Sequence, residues 1–351
     1  MAATHLYAII PTGEEVVFDI AGVDNRDTVR AVPSQDFAVV VSASPSEDYR
    51  SLNREQIVRY LLAHQRVVET VMRDFPVLPV KFGTVLSDES QVRRFLDQGQ
   101  DLFLSALEKF ARLVQMEVVV FWDIQTIFDR IGEEERIAHL KAKIAGRPAE
   151  ATTDERIELG RMVQASLEER RGILRSVIVP LLENLALDVV VNPVMDDSMV
   201  VNLALLMDES RRGVMDGKLR MLDEIAEGRL QFRCIGPLPP YSFAAVEVRV
   251  PSFEEIDAAR RQLNLGETTT FSDIKRAYRK LIRRLHPDLN PNDSEAEVRM
   301  AELARAYEFL TDYAERQARS AEDGESAVCC FDREKVEETL LIAIRRQESP
   351  P

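Results

Sequence analysis

Few places in this 351-residue chain combine residue types and spacing that could do chemistry, and the foremost is His286-Pro287-Asp288. A proline disfavours helical geometry in the residue before it, so Pro287 stops the helix that runs into it. Asp288 is then a carboxylate on a rigid turn, placed for a partner arginine to grip. Ahead of it, Lys275, Arg276, Arg279, Lys280, Arg283 and Arg284 occupy one side of a 3.6-residue repeat. A face of that kind suits an acidic surface on a partner, where charge mainly speeds and orients encounter. A basic helix alone is more often a merely solvated surface. The tripeptide at its end turns the reading toward docking, which is binding chemistry rather than bond making.

The other reactive side chains offer less. His64 falls on an apolar helical face with no nucleophile or carboxylate evident, and reads as a hydrogen-bonded core histidine. The alternative, an enzyme with His64 or His139 as general base, has only those residues to support it. Cys329 and Cys330 are adjacent, and a vicinal disulfide is strained, so two reduced thiols are the plainer reading beside a redox pair. With Cys234 they make neither a disulfide framework nor a metal spacing. No glycine loop cradles phosphate. No catalytic, metal or cofactor residue is expected.

The elements that must hold the tripeptide are two helices. Ile274, Ala277, Tyr278, Leu281, Ile282 and Leu285 form the apolar side of the first, and Thr270 and Asp273 have the spacing of a capping box. Asn292, Asp293 and Ser294 are N-cap candidates for the second, whose face is Met300, Leu303, Tyr307 and Leu310. Together they predict an antiparallel hairpin with the tripeptide at its tip.

Residues 1–250 alternate strands and helices. Strands are expected at Leu6–Ile10, Val16–Ile20, Phe37–Val41, Val77–Thr84 and Val118–Trp122, then at Val189–Asn192, Met199–Met207, Phe232–Ile235 and Phe243–Val250. A helix opens at Asn53 and Gln56, and a second starts at Ser87, is interrupted at Gly99 and ends near Val114. A long helix capped by Thr152 and Glu155 buries Ile157, Val163, Leu167, Leu174, Val177, Leu181 and Leu185. Another spans Ser210–Ala226, and Gly236–Tyr241 reads as a rigid turn. Ala318–Ser326 is an acidic linker, and a last helix over Arg333–Arg346 carries Val336, Leu340 and Ile344 on one stripe that docks on its own protein.

The fold class is thus α+β: two α/β sandwich domains, 1–123 and 124–251, an all-α helical hairpin at 252–317, and a linker with a C-terminal helix at 318–351. The formal charge of 45 − 60 = −15 argues against nucleic acid or an anionic membrane as partner. The N-terminus has no signal-peptide pattern and no window approaches a membrane span, so a soluble cytoplasmic protein is expected.

Residues Asp273–Asp312 resemble a J domain of the DnaJ-type co-chaperones. The resemblance rests on Ile274-Lys275-Arg276-Ala277-Tyr278-Arg279-Lys280-Leu281, on His286-Pro287-Asp288, and on Ala306-Tyr307 with Leu310. It implies a DnaK-type ATPase as partner, engaged by the basic face and the tripeptide. Thr311-Asp312-Tyr313-Ala314 stands where the usual Asp-Pro turn would follow.

Residues 1–250 resemble the gas vesicle GvpL/GvpF family. Leu6-Tyr7-Ala8-Ile9-Ile10, Val77-Leu78-Pro79-Val80-Lys81-Phe82-Gly83-Thr84 and Gly236-Pro237-Leu238-Pro239-Pro240-Tyr241-Ser242-Phe243 carry that resemblance. It implies two α/β domains, the first ferredoxin-like, in a non-enzymatic minor component of gas vesicles. Its implied partners are the hydrophobic shell protein GvpA, kept from aggregating during nucleation, and other gas vesicle accessory proteins. A general DnaJ-type co-chaperone with a client-binding N-terminal region is the alternative, although the chain has neither a Gly/Phe-rich linker nor a zinc-binding cysteine region.

Overall fold

The computed structural model describes residues 3–25, 27–45, 49–285, 296–319 and 328–346. The chain divides into two compact units, one of residues 1–67, 80–105 and 246–345, the other of 68–79, 106–245 and 346–351.

The first unit opens with β1 (Thr4–Ile10), β2 (Val16–Ala21), β3 (Thr28–Ser34) and β4 (Phe37–Ala43), antiparallel in the order β2-β3-β4-β1. β1 and β4 are apolar almost throughout and buried almost throughout, the pattern of strands covered on both faces. β3 was not expected from the sequence. Its Val29 and Ala31 point inward while Arg30 points out, an alternation shortened by Pro33.

Helix α1 (Arg54–Val71) starts with a reciprocal cap. The Gln56 N–H donates to Asn53 Oδ1 at 2.9 Å, and the Asn53 N–H donates to Gln56 Oε1 at 3.2 Å. Two short strands follow, β5 (Leu78–Pro79) and β6 (Val85–Leu86), with β6 antiparallel to β1. Helix α2 (Glu89–Phe110) then runs unbroken through Gly99, against the expected interruption. The glycine is there for space: a Cβ at Gly99 would lie 2.0 Å from the Phe103 ring.

In the second unit β7 (Leu113–Trp122) precedes α3 (Ile124–Gly132), α4 (Glu135–Ile144) and α5 (Thr153–Glu183). Then come β8 (Asp188–Val191), β9 (Met199–Asp208), α6 (Arg212–Ala226) and β10 (Leu230–Leu238), and the four strands form an antiparallel sheet ordered β10-β7-β9-β8. The capping box at the start of α5 does not form, because the Thr152 hydroxyl donates to the Pro148 carbonyl at 3.0 Å. The expected stripe of α5 holds at Leu167, with Val163, Leu174 and Leu181 packed on the same core and Leu185 buried just past the helix, and it fails at two positions. Ile157 and Val177 are about half exposed, at 50% and 54%, whereas Leu167, Arg171, Ile178 and Leu182 are buried. Arg171 is accommodated there because its Nε donates to the Met199 carbonyl at 3.0 Å and its guanidinium lies over Trp122. β10 extends to Leu238 across a cis Gly236-Pro237 bond with a register shift, so the turn begins only at Pro239.

The chain then returns to the first unit with β11 (Ala245–Arg249), α7 (Phe253–Gln262), β12 (Thr268–Thr270), α8 (Phe271–Leu285) and α9 (Ala296–Arg319). It ends in β13 (Val328–Cys330), α10 (Arg333–Glu338) and β14 (Leu341–Arg345), with β12 paired to β13 and β11 to β14. The expected helix over Arg333–Arg346 therefore breaks at Thr339, which is extended, and the β-prone run Leu341-Ile342-Ala343-Ile344 becomes a strand. Among the described residues no helix is long and apolar enough to cross a membrane, and no cluster of side chains has the make-up of a metal site.

Candidate functional site

The site built by the basic helix starts from its cap. The Asp273 N–H donates to Thr270 Oγ1 at 3.2 Å, and the Thr270 hydroxyl donates to Asp273 Oδ2 at 2.8 Å. That hydroxyl bond, with Arg276 at 3.2 Å, holds the Asp273 carboxyl below the usual carboxylate range. A negative charge in the first turn complements the helix dipole.

From there α8 buries Ile274 and half-buries Ala277, Tyr278, Leu281, Ile282 and Leu285, as the sequence spacing requires. Tyr278 stacks on Tyr307 of α9 with centroids 4.1 Å apart and planes 13° apart, which fixes the two helices against each other. Leu303, Ala306 and Leu310 of α9 complete the apolar contact, with Ile256 and Ala259 of α7.

All six predicted basic residues, Lys275, Arg276, Arg279, Lys280, Arg283 and Arg284, are exposed on one side of α8, where with Ser272 they line a shallow groove. His286, Pro287 and Asp288 lie outside the described residues, as do the N-cap candidates Asn292, Asp293 and Ser294. The acidic stretch from 320 to 327 lies outside them too, whereas Ala318 belongs to α9.

Where the usual Asp-Pro turn of the family would follow, at Thr311-Asp312-Tyr313-Ala314, α9 continues as helix to Arg319. Tyr313 and Ala314 are buried there. The Tyr313 hydroxyl donates to the Cys330 carbonyl at 2.8 Å and its ring stacks on Phe331. Sequence reasoning missed this role of the C-terminal segment, although Tyr313 at i+3 from Leu310 was a visible signal.

The other reactive side chains are placed away from any open site. His64 is buried, and its Nδ1 lies 2.9 Å from Nε2 of His5, which the sequence reading had not singled out. Tyr7, Tyr49 and Phe82 surround the pair. Burial lowers His5 well below the ordinary histidine range, helped by the neighbouring ring, and desolvation lowers His64 to about 4. His139 is exposed on α4. Burial also pushes the Cys329 thiol up to about 12, and the Asp332 carboxylate that Cys330 donates to raises Cys330. Neither thiol is activated.

Two sequence elements outside the hairpin close turns. In Lys81–Thr84 the Thr84 N–H and hydroxyl both donate to the Lys81 carbonyl, at 3.2 and 2.7 Å, with Gly83 at φ +83°. At Pro239-Pro240-Tyr241 the Phe243 and Ala244 N–H groups donate to Pro240, and the Ser242 N–H donates to Gln115 Oε1 at 2.8 Å. Burial raises the Tyr241 phenol far above its ordinary range.

Comparison with known proteins matches two successive stretches of the chain. The model of the gas vesicle synthesis protein GvpL/GvpF family matches residues 3–245, and the DnaJ domain model matches residues 261–318. Gas vesicle protein L1 of Halobacterium salinarum is 28% identical over 261 residues, covering 68% of this chain and 89% of that protein. The chaperone protein DnaJ of Francisella tularensis is 50% identical over 54 residues, which is 15% of each chain. The crystal structure of the gas vesicle protein GvpF from Anabaena sp. PCC7120 superposes with a TM-score of 0.56 at 22% identity, over 69% of this chain and 98% of that one, which shows a shared fold. With more than half of its length inside the first family model, the chain belongs to the gas vesicle GvpL/GvpF family and carries a DnaJ domain behind that fold.

Proposed function

We propose that this protein is a non-enzymatic assembly factor of gas vesicles. In this reading it works in the cytoplasm as a minor vesicle component beside other accessory proteins. Its family fold binds the hydrophobic shell protein GvpA and keeps it from aggregating, while its J domain recruits a DnaK-type ATPase. The observation that carries the second half is the exposed row of six cations on α8, in a segment matched by the DnaJ domain model. An acidic groove on the ATPase meets Lys275, Arg276, Arg279, Lys280, Arg283 and Arg284, and the carboxylate of Asp288 bonds a partner arginine. The first half rests on family membership and on the chemistry of the client. An unassembled hydrophobic subunit exposes apolar surface that aggregates, and fusion of holder and recruiter raises their effective concentration for each other.

The test is the ATP turnover of a purified DnaK-type chaperone with the full-length protein and with its Asp288→Asn and His286→Gln variants. Stimulation by the wild type and loss in both variants supports docking. No stimulation by the wild type would refute it. A pull-down with GvpA tests the other half, and capture of unrelated unfolded proteins with equal affinity would favour a general co-chaperone instead.

A further inference from the structure

Residues 328–345 lie beyond both matched segments, and two sets of contacts hold them. One set faces the J domain. β13 pairs with β12 immediately before α8, Thr270 opposite Val328 and Thr268 opposite Cys330. Gln317 of α9 brackets Cys330 as a neighbouring strand would: its Nε2 donates to the Cys330 carbonyl at 3.1 Å and its Oε1 accepts from the Cys330 N–H at 2.9 Å. Cys329, Phe331 and Val336 are only 2%, 3% and 0% exposed, in one apolar cluster with Ile256, Ile274 and Leu310. Arg333 lies over the Phe253 ring and pairs with Glu254 at 2.7 Å, which ties α10 to α7. Without this segment the apolar side chains that Phe331 and Val336 cover, Ile256, Ile274 and Leu310 among their cluster, would lose that cover.

The second set faces α2 and β11. Gln98 Nε2 donates to the Glu338 carbonyl at 2.9 Å, and Gln98 Oε1 accepts from the Leu340 N–H at 3.0 Å. Arg316 of α9 donates to the Gln98 carbonyl, so one residue of α2 grips both the C-terminal segment and the J domain. β14 pairs with β11, and Arg345 stands between Glu247 at 3.5 Å and Asp312 at 3.4 Å. The cleft along this seam has a volume of about 990 Å³ and is lined by charges such as Lys81, Glu247, Arg249 and Asp312. Apolar side chains such as Phe82, Phe309 and Ile342 line it as well, and a seam of that mixed kind resembles a contact between proteins, across which relative motion is the default unless it is tied.

We infer that residues 328–345 are the positioning element of the co-chaperone module. They complete its core, and through β14 and Gln98 they pin it to the α/β part of the first unit. The basic face of α8 is thereby held at one orientation to that part instead of swinging on a tether. A pinned module loses less freedom when a partner spans both parts. That consequence rests on the function proposed above, whereas the pin itself does not.

Hydrogen exchange on the full-length protein separates the two. A proline removes one strand donor, and successive N–H groups point to opposite edges, so Ile342→Pro and Ala343→Pro are compared. At least one of them should speed exchange in Ala245–Arg249 at least ~10-fold while α8 and α9 stay as protected as in the wild type. Phe331→Ser should instead speed exchange across α7, α8 and α9. Unchanged protection of β11 in both proline variants overturns the pin, and unchanged protection of α7 to α9 in Phe331→Ser overturns the completed core. The proline variants should also stimulate a DnaK-type ATPase within about twofold of wild type, since the α8 face is intact. If the wild type gives no stimulation, the docking reading fails while the exchange data still decide the pin.

Discussion

The α8 face and the His5–His64 pair are both concentrations of titratable groups in the same compact unit, and they have opposite fates. On α8 six exposed cations stand on a helix whose other side packs, with Ile274 buried and its apolar neighbours half-buried. Exposed in this way, they face whatever partner approaches. The histidines sit at 0% and 1% exposure among Tyr7, Tyr49 and Phe82, where a charge would be expensive. They respond by staying neutral and bonding each other. Exposure, rather than residue type, decides which cluster can act on another molecule. It also explains why His64, buried and neutral, makes a poor general base despite its chemistry.

The contrast predicts its largest effect on α8. Arg279→Glu with Arg283→Glu should lower stimulation of a DnaK-type ATPase at least ~10-fold at low salt, with helicity unchanged by circular dichroism. The deficit should shrink toward 0.5 M salt, because exposed charges are screened over about 10 Å at 0.1 M. A deficit independent of salt would mean that the arginines act through packing.

The packed side of the same module should respond in stability instead. Leu310 is fully buried in the cluster that joins α7, α8 and α9. Leu310→Ala is expected to cost about 2–5 kcal/mol, read from exchange of the slowest amides in α8 and α9. A loss of ATPase stimulation with no change in those amides would contradict the division between the two faces.

The buried pair should show itself only through pH. Folded, both rings are neutral. The unfolded chain protonates its histidines near pH 6.5, whereas the folded protein holds off on His64 until about 4. Between those values the unfolded state binds more protons, so stability falls as the pH drops. For His64 alone the loss amounts to roughly 3 kcal/mol across that window, and His5 adds to it in the same direction. Urea denaturation at pH 7, 5.5 and 4.5 measures the slope, with His64→Leu as the comparison. Equal slopes in the two proteins would show that the pair is not what titrates.

How far the sequence speaks follows the same physics. The α8 pattern was legible because its two sides are chemically opposite, and the Thr270–Asp273 cap because its spacing is local. The Asn53 cap and the core strand at Phe37–Val41 were legible for similar reasons. What stayed hidden was set by contacts distant in sequence. Val336, Leu340 and Ile344 fit a helical stripe, but pairing with β11 makes Leu341–Arg345 a strand. In α5 the burial of Arg171 was hidden because nothing near it in sequence announces the Met199 carbonyl or Trp122. His5 was invisible as the partner of His64 across 59 residues.

The smallest expected effects come from two helical glycines, and they isolate burial from every other variable. Both replace a residue that disfavours helix by about 1 kcal/mol relative to alanine. Gly160, exposed in α5, has nothing within 4 Å of an added Cβ, so Gly160→Ala should stabilise by up to that amount. Gly99 in α2 would place the same methyl 2.0 Å from the Phe103 ring, which itself packs on Phe37 and Phe95. Overpacking of that kind costs roughly 1–3 kcal/mol, enough to cancel or reverse the helical gain. Gly160→Ala should therefore raise the thermal unfolding midpoint, whereas Gly99→Ala should leave it unchanged or lower it. A rise in both would mean that Phe103 yields without cost, and that the glycine in α2 marks no close approach.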